Sequence, residues 1–281
     1  MGEGSEAQGE GDMSGVREDG RALHRGWYLR CQAGDVAERV VLVGDPGRVE
    51  AFARRLDGAR TVNAARGLLT VTGRYKAVGV TVAAFGMGAP IMAVVLEEVT
   101  WLGARVVLRA GTAMALGNLA LGDFIVPDAA IRGEHTSATY VPLEYPAVAD
   151  PALARRAVEQ VQALGGRAHG GLMASYDGFY SELFARDENG LAPRATQLLG
   201  CLRDWGVQAA DMETSALLAI GRYRGLRCAT LCALTAEAAG HRALEGADRQ
   251  RVEDTLVQAA LETLVGEPLE TAATQARGCQ T

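Results

Sequence analysis

The sequence contains no apolar run long enough to span a bilayer, which takes about 20 residues. It opens on no basic stretch followed by an apolar core, so no signal peptide is read there. Basic runs are absent and the formal net charge is −6. Neither nucleic acid nor membrane is therefore an expected partner, and a soluble cytoplasmic protein is the expectation. Cysteine is sparse: Cys31, Cys201, Cys228, Cys232 and Cys279 form no CxxC pair, and no histidine cluster accompanies them. That argues against zinc and leaves buried or idle thiols. His135, His169 and His241 form no constellation, so no metal site is expected. There is no internal repeat.

What is present is alternation. Residues 1–20 are rich in Gly, Glu and Ser and cannot bury enough surface to order themselves. The polar tail 268–281 is read as flexible. Between them, 21–267 reads as one α/β domain, because apolar β-branched runs alternate with helical patterns. A strand is expected at Arg39–Val43, then a hairpin across "LLTVTGRYKAVGVTVAAF" turning near Gly73. "RVVLRAGT" reads as a strand ending in a turn at Gly111, and "GDFIVPDAAIR" as one further strand. "GGLMASYD", Val207–Asp211 and "RCATLCALT" are the later strands. Helices are expected at 90–102, 150–163, 195–205, 213–224 and 247–265, with Asp150 as an N-cap.

Four short segments carry groups suited to chemistry. "GDPGR" (Gly44 to Arg48) follows a strand; it is either an anion-binding nest with a guanidinium or an ordinary Asp-Pro-Gly turn. "LRAGT" places Arg109 and Thr112 where a buried strand meets a glycine. A charge there is costly unless paired, so it serves an anion or a structural ion pair. "DMETSALL" puts two carboxylates at a helix start. Glu213 either caps the helix or accepts the vicinal hydroxyls of a sugar. "ASYDGFYSE" offers Phe179 and Tyr180, which either stack on a flat ligand or fill the core.

In order, "VGDPGRVE", "FGMGAP", "LRAGTA", "PLEYPAVAD", "SYDGFY" and "DMETSALL" resemble the nucleoside phosphorylase superfamily. The likeness is to its hexamer-forming branch of uridine phosphorylase and bacterial purine nucleoside phosphorylase, and it runs from about residue 28 to 265. The resemblance implies a single-domain, three-layer α/β fold with a central mixed, partly barrel-like sheet flanked by helices. It implies that phosphate attacks the anomeric carbon of a nucleoside, giving free base and pentose 1-phosphate, with phosphate as co-substrate and no cofactor. The implied phosphate cradle is Gly44, Arg48, Arg109 and Thr112, joined by Arg66 from a neighbouring subunit. Glu213 with Met212 would hold the ribose, and Phe179 would meet the base. A homohexamer built as a trimer of dimers is the implied assembly.

The chain departs from that pattern on the base side. Uridine phosphorylases read uracil with a Gln-x-Arg pair; here those places hold Leu183 and Ala185, with Arg186 one residue later. Bacterial purine enzymes use an Asp after the late strand; here Ala236 stands there, with Glu237 beside it and Arg249 matching the assisting arginine. Glu237 is thus a candidate acid, or else an exposed loop carboxylate. The histidine that meets the sugar 5′-hydroxyl is matched by Tyr28, with His24 four residues earlier. The potassium-site Glu and Ser read Gly67 and Ile91. The expectation is a uridine phosphorylase-like enzyme acting on an atypical nucleoside. The alternatives are a purine or 5′-modified nucleoside phosphorylase, a nucleosidase using water, and a catalytically silent nucleoside-binding protein.

Overall fold

Apolar β-branched runs become strands in this chain, and prolines mark helix starts. The structure, a computed structural model, describes residues 25–188, 190–237 and 242–269. The first half contains β1 (Arg39–Val43), α1 (Pro46–Ala53), β2 (Asp57–Asn63), β3 (Thr70–Tyr75), β4 (Val78–Ala84), α2 (Ala89–Trp101), β5 (Val106–Ala115), β6 (Phe124–Ile125) and β7 (Ala129–Gly133). Next come β8 (Ala147–Val148), α3 (Pro151–Ala163), β9 (Ala168–His169), β10 (Leu172–Tyr176), β11 (Arg186–Asp187) and β12 (Gly190–Leu191). The chain continues with α4 (Pro193–Asp204), β13 (Val207–Asp211), α5 (Thr214–Tyr223), β14 (Arg227–Glu237) and α6 (Gly246–Val265). Pro stands at the first or second position of α1, α2, α3 and α4, where a missing N–H breaks no helical bond. The segment 1–20, the tail from 270, and His24, His241 and Cys279 lie outside the described residues.

A mixed 12-stranded sheet forms the centre, and β11–β12 is a separate small hairpin. α2 packs on α5, while α1 and α3 pack on α6; both groups of helices touch β5 and β14. The architecture is therefore the expected α/β one, a large mixed sheet flanked by helices.

The strand β5 is the hub. It pairs in parallel with β14 along its whole length. On its other edge it pairs in parallel with β1 only as far as Leu42↔Arg109. That edge is taken up again by antiparallel β13 at Ala210↔Met114 and Ala209↔Ala115. Between Arg109 and Met114 this edge has no strand partner among the described residues.

Several local expectations are corrected. β5 does not turn at Gly111 but runs on to Ala115. The hairpin turns at Lys76 and Ala77, both left-handed (φ 49 and 65), rather than near Gly73. Left-handed residues at both central positions match the twist of a two-residue hairpin loop. Gly73 instead sits within β3, where a Cβ would approach the Leu56 Cβ to 2.9 Å. "GDFIVPDAAIR" is two strands: β6 pairs with β14 and β9, whereas β7 pairs with β10 and β8. Pro127 between them cannot donate to a ladder, so the chain leaves one branch of the sheet there and joins another.

One clasp fastens the far side of the sheet. Asp150, the N-cap of α3, accepts from the Leu153 N–H at 2.8 Å. It also accepts from Arg227 Nε at 2.9 Å and Nη2 at 3.1 Å, and Arg227 reaches Glu267 at the end of α6. Burial alone would raise the Asp150 carboxyl, but Arg227 and the Leu153 N–H outweigh it and hold it below the usual carboxylate range. Asp150→Ala is expected to lower stability at neutral pH by about 1–3 kcal/mol. Because the folded pKa is depressed, the contribution is full above about pH 4 and is lost as pH falls further. Denaturant titrations of both proteins at several pH values check this: the difference must shrink on acidification.

Candidate active site

The opening along β5 collects strand ends. β1 and β4 run parallel to β5 and stop at Val43 and Ala84, paired with each other. β13 runs the opposite way and stops at Asp211, paired with Ser175 near the end of β10. The carboxyl ends of these strands thus meet from two directions over residues 110–113, the switch-point crevice where open α/β sheets bind ligands.

Arg109 sits in that opening and is 4% exposed. Its Nη2 donates to Glu213 Oε2 at 2.5 Å, and its Nη1 lies 3.0 Å from Asp211 Oδ2. Nη1 also reaches Cys232 Sγ at 2.8 Å. Gly111 makes this possible, since a Cβ there would come within 2.4 Å of Arg109 Nη1. Burial alone would lower the Arg109 pKa; the Cys232 sulfur, Asp211 and Glu213 push it up instead, so the guanidinium stays charged. Cys232 itself is pushed up to about 12, chiefly by burial, and is an inert thiol rather than a nucleophile. The ion-pair reading of Arg109 therefore holds, and its buried Nε still has no partner among the described residues.

The two carboxylates differ in what they have left to give. Asp211 accepts from Ser175 Oγ, Thr214 Oγ1, the Glu213 and Thr214 N–H groups and Arg109, which fills its lone pairs. Among the described residues, Glu213 accepts only from Arg109 and from the Gly88 N–H at 2.7 Å. A carboxylate has about four acceptor positions, so Glu213 can still take two hydroxyls while Asp211 cannot. Burial pushes the Glu213 carboxyl above its ordinary value, against the pull of Arg109 and the Gly88 N–H. Met212, beside it, is half-buried.

Arg48 supplies a second buried cation. "GDPGR" proves to be a helix start: Asp45 caps α1, and Arg48 lies in its first turn, 6% exposed. Gly44 packs so closely on the next loop that a Cβ would lie 2.8 Å from the Gly86 carbonyl oxygen. Among the described residues, Arg48 reaches only the Ala110 carbonyl at 3.4 Å and Glu253 at 3.6 Å, and its buried Nε has no partner. Burial lowers its pKa, and the nearby Arg109 charge lowers it further. Thr112 is half-buried on β5, three residues beyond Arg109. Arg66 is exposed, left-handed at φ 59, with its guanidinium 5.3 Å above the Tyr28 ring.

The base side does not follow expectation. Leu183 is fully buried in an apolar cluster with Met114, Leu199 and Leu202, so it is a core residue and cannot face a base. The π-helical turn Phe179–Leu183 rotates it inward. Phe179 stays half-buried, stacked on Phe184 at 5.6 Å, and Arg186 lies 5.5 Å over the Phe184 ring. Glu237 and Arg249 are not brought together. Glu237 is held in two-pronged fashion by Arg242 at 2.6 and 2.9 Å, which lowers its pKa. That is the wrong direction for an acid that must carry a proton at neutral pH. Arg249 pairs instead with Glu253 at 3.0 Å.

Comparison with known proteins decides the lineage. The Phosphorylase superfamily model matches residues 38–265. The chain belongs to the phosphorylase superfamily. It is 38% identical over 212 residues to a uridine phosphorylase of Thermococcus kodakarensis, covering 75% of this chain and 76% of that one. It is 31% identical over 206 residues to a guanosine phosphorylase of Halorubrum lacusprofundi, covering 73% and 80%. Among solved structures, a uridine phosphorylase from Vibrio fischeri matches with TM-score 0.77 at 28% identity, covering 86% of this chain and 98% of that one.

In this phosphorylase the sequence pattern missed Asp211 as the anchor of Arg109, the Gly88 N–H that orients Glu213, and Glu253. The "DME" spacing signals Asp211; nothing local signals Glu253, whose α6 reaches Arg48 only through the fold. If Glu213 serves the reaction, its raised pKa has an expected kinetic outcome: activity is expected to fall as pH drops through it, with the acid limb of kcat/KM above the ordinary Glu value near 4.3. Glu213→Gln is expected to erase that limb and to lower kcat/KM by about 100-fold or more. A pH–rate profile of both proteins checks it, and an unmoved limb in the variant would contradict the role of Glu213.

Proposed function

We propose that this nucleoside phosphorylase cleaves a uridine-like nucleoside, with an atypical base or sugar, by phosphorolysis. One observation carries the reading: Arg48 and Arg109 are both nearly buried, flank one crevice, and each has a buried Nε without a partner among the described residues. Two such cations suit a dianion, which arginine binds in two-pronged fashion. A phosphate oxygen forms the new bond to C1′, the N-glycosidic bond breaks, and the base leaves with the bonding electron pair and takes up a proton. Arg48, Arg109, Thr112 and the Gly44 backbone would hold the nucleophile. Glu213 would fix the sugar hydroxyls over Met212. Positive charge developing on the sugar would then lie between phosphate and Glu213, so the residues act by positioning and electrostatics.

On the base side, the Arg186–Phe184–Phe179 stack supports a face that takes a flat ring without reading its edge closely. The relatives named for uridine and for guanosine support both ring sizes, and the greater identity of the uridine relative favours a pyrimidine. Tyr28 at the place of the 5′-hydroxyl contact supports an altered sugar. A cytoplasmic setting belongs to the same proposal.

The assembly proposed is a homohexamer of three dimers in which Arg66 completes a neighbour's phosphate site. Its support is that Arg66 points outward over Tyr28 and that the adjacent Trp27 is 52% exposed. A mass measurement giving an active monomer would overturn it. Co-expressed Arg66→Ala and Arg109→Ala subunits are expected to recover activity that neither variant shows alone.

The decisive test is base release across a panel of pyrimidine, purine and 5′-modified nucleosides, with and without phosphate. Release only with phosphate is expected, with a pyrimidine preferred. Equal release without phosphate would mean a nucleosidase, and binding without release a silent receptor. Arg48→Gln is expected to raise the phosphate KM by about tenfold or more and to leave the nucleoside KM nearly unchanged.

A further inference from the structure

Arg48 has a competitor for its charge. Glu253, on α6, is 26% exposed at its side chain and presents one oxygen, Oε1, to two arginines. Arg249 Nε lies 3.0 Å from that oxygen, at hydrogen-bond length. Arg48 Nη2 lies 3.6 Å from it, beyond hydrogen-bond length but well within electrostatic reach. The sharing is unequal: Arg249 grips the carboxylate and Arg48 feels its field. Glu253 is also the largest charge opposing the loss of the Arg48 proton on burial. The second carboxylate near Arg48, Asp45, has its Oδ1 taken by the Gly47 N–H at 2.8 Å.

We propose that Glu253 sets how tightly phosphate binds, by offsetting the charge of Arg48, and that Arg249 sets how much of Glu253 reaches Arg48. This rests on the reading of Arg48 as a phosphate ligand. A dianion approaching Arg48 meets a cation already partly neutralised, so its binding is weaker than the bare cradle would give. The contact is too long to orient Arg48, so Glu253 acts as an attenuator rather than as a positioning group. Its effect therefore has the sign opposite to that of a supporting residue.

Calorimetric titration with inorganic phosphate alone tests this without needing turnover. Glu253→Gln keeps the side-chain length and removes the charge; phosphate is expected to bind about three- to fivefold tighter. Arg249→Gln leaves Glu253 to Arg48 alone, and phosphate is expected to bind weaker by a similar factor. The double variant is expected to match Glu253→Gln, because Arg249 acts only through the carboxylate. A packing defect in α6 would not produce opposite signs that collapse in the double variant. Should Glu253→Gln fold poorly, Glu253→Asp, which draws the charge back from Arg48, is expected to tighten binding in the same direction. An unchanged or weakened phosphate affinity in Glu253→Gln overturns the proposal, and an unchanged affinity in Arg249→Gln overturns the part assigned to Arg249. If the unaltered protein binds no phosphate at all, it is the phosphorolysis reading that fails.

Discussion

A cation held inside a β-sheet governs this protein. Arg109 lies mid-strand in β5, where the interior would reject an unpaired charge. Its pairing with Asp211 and Glu213 brings the carboxyl end of β13 against the strand that β1 has just left. Asp211 in turn gathers Ser175 from β10 and Thr214 from α5. Glu213 gathers the Gly88 N–H from the loop after β4. Loops far apart in the chain are thus referred to one guanidinium. The same group that makes the buried charge tolerable also aligns the crevice.

The crevice divides the work between firm and loose parts. The part around Arg109 is built on strand ends, a capped helix and a saturated carboxylate. Asp211 accepts as many bonds as it can, so it anchors; Glu213 keeps free lone pairs, so it can serve a ligand. The part around Phe179 rests on a π-helical turn, a stack of two phenylalanines and an arginine lying on a ring.

Much of the frame is legible in the sequence, and so are several of the residues that the fold gathers at the crevice. Arg109 is visible because a charge amid Val106, Val107 and Leu108 demands an explanation. Asp150, followed by proline, announces a helix start, whereas Asp45 in the same setting is read as a nest or a turn and proves to cap α1. Gly111 and Gly73 are read as turns because close approach and chain reversal leave the same mark, a missing side chain. Only the fold shows that one glycine accommodates a guanidinium and the other packs against Leu56. Leu183 lies four residues after Phe179, so its burial depends on how tightly the intervening turn winds. Glu237 and Arg249 look like an acid and its helper by order alone, yet Arg242 and Glu253 reach them first. Such pairings are settled by tertiary neighbours, which sequence order does not encode.

The hairpin of β11 and β12 shares no ladder with the large sheet. It carries Arg186, whose guanidinium lies 5.5 Å over the Phe184 ring, and its two strands pair with each other. Its strands take no part in the register that sets β5 against β1 and β13. The molecule thus keeps its most freely varied segment apart from its most constrained one, for Gly111 is hemmed in by the guanidinium it makes room for.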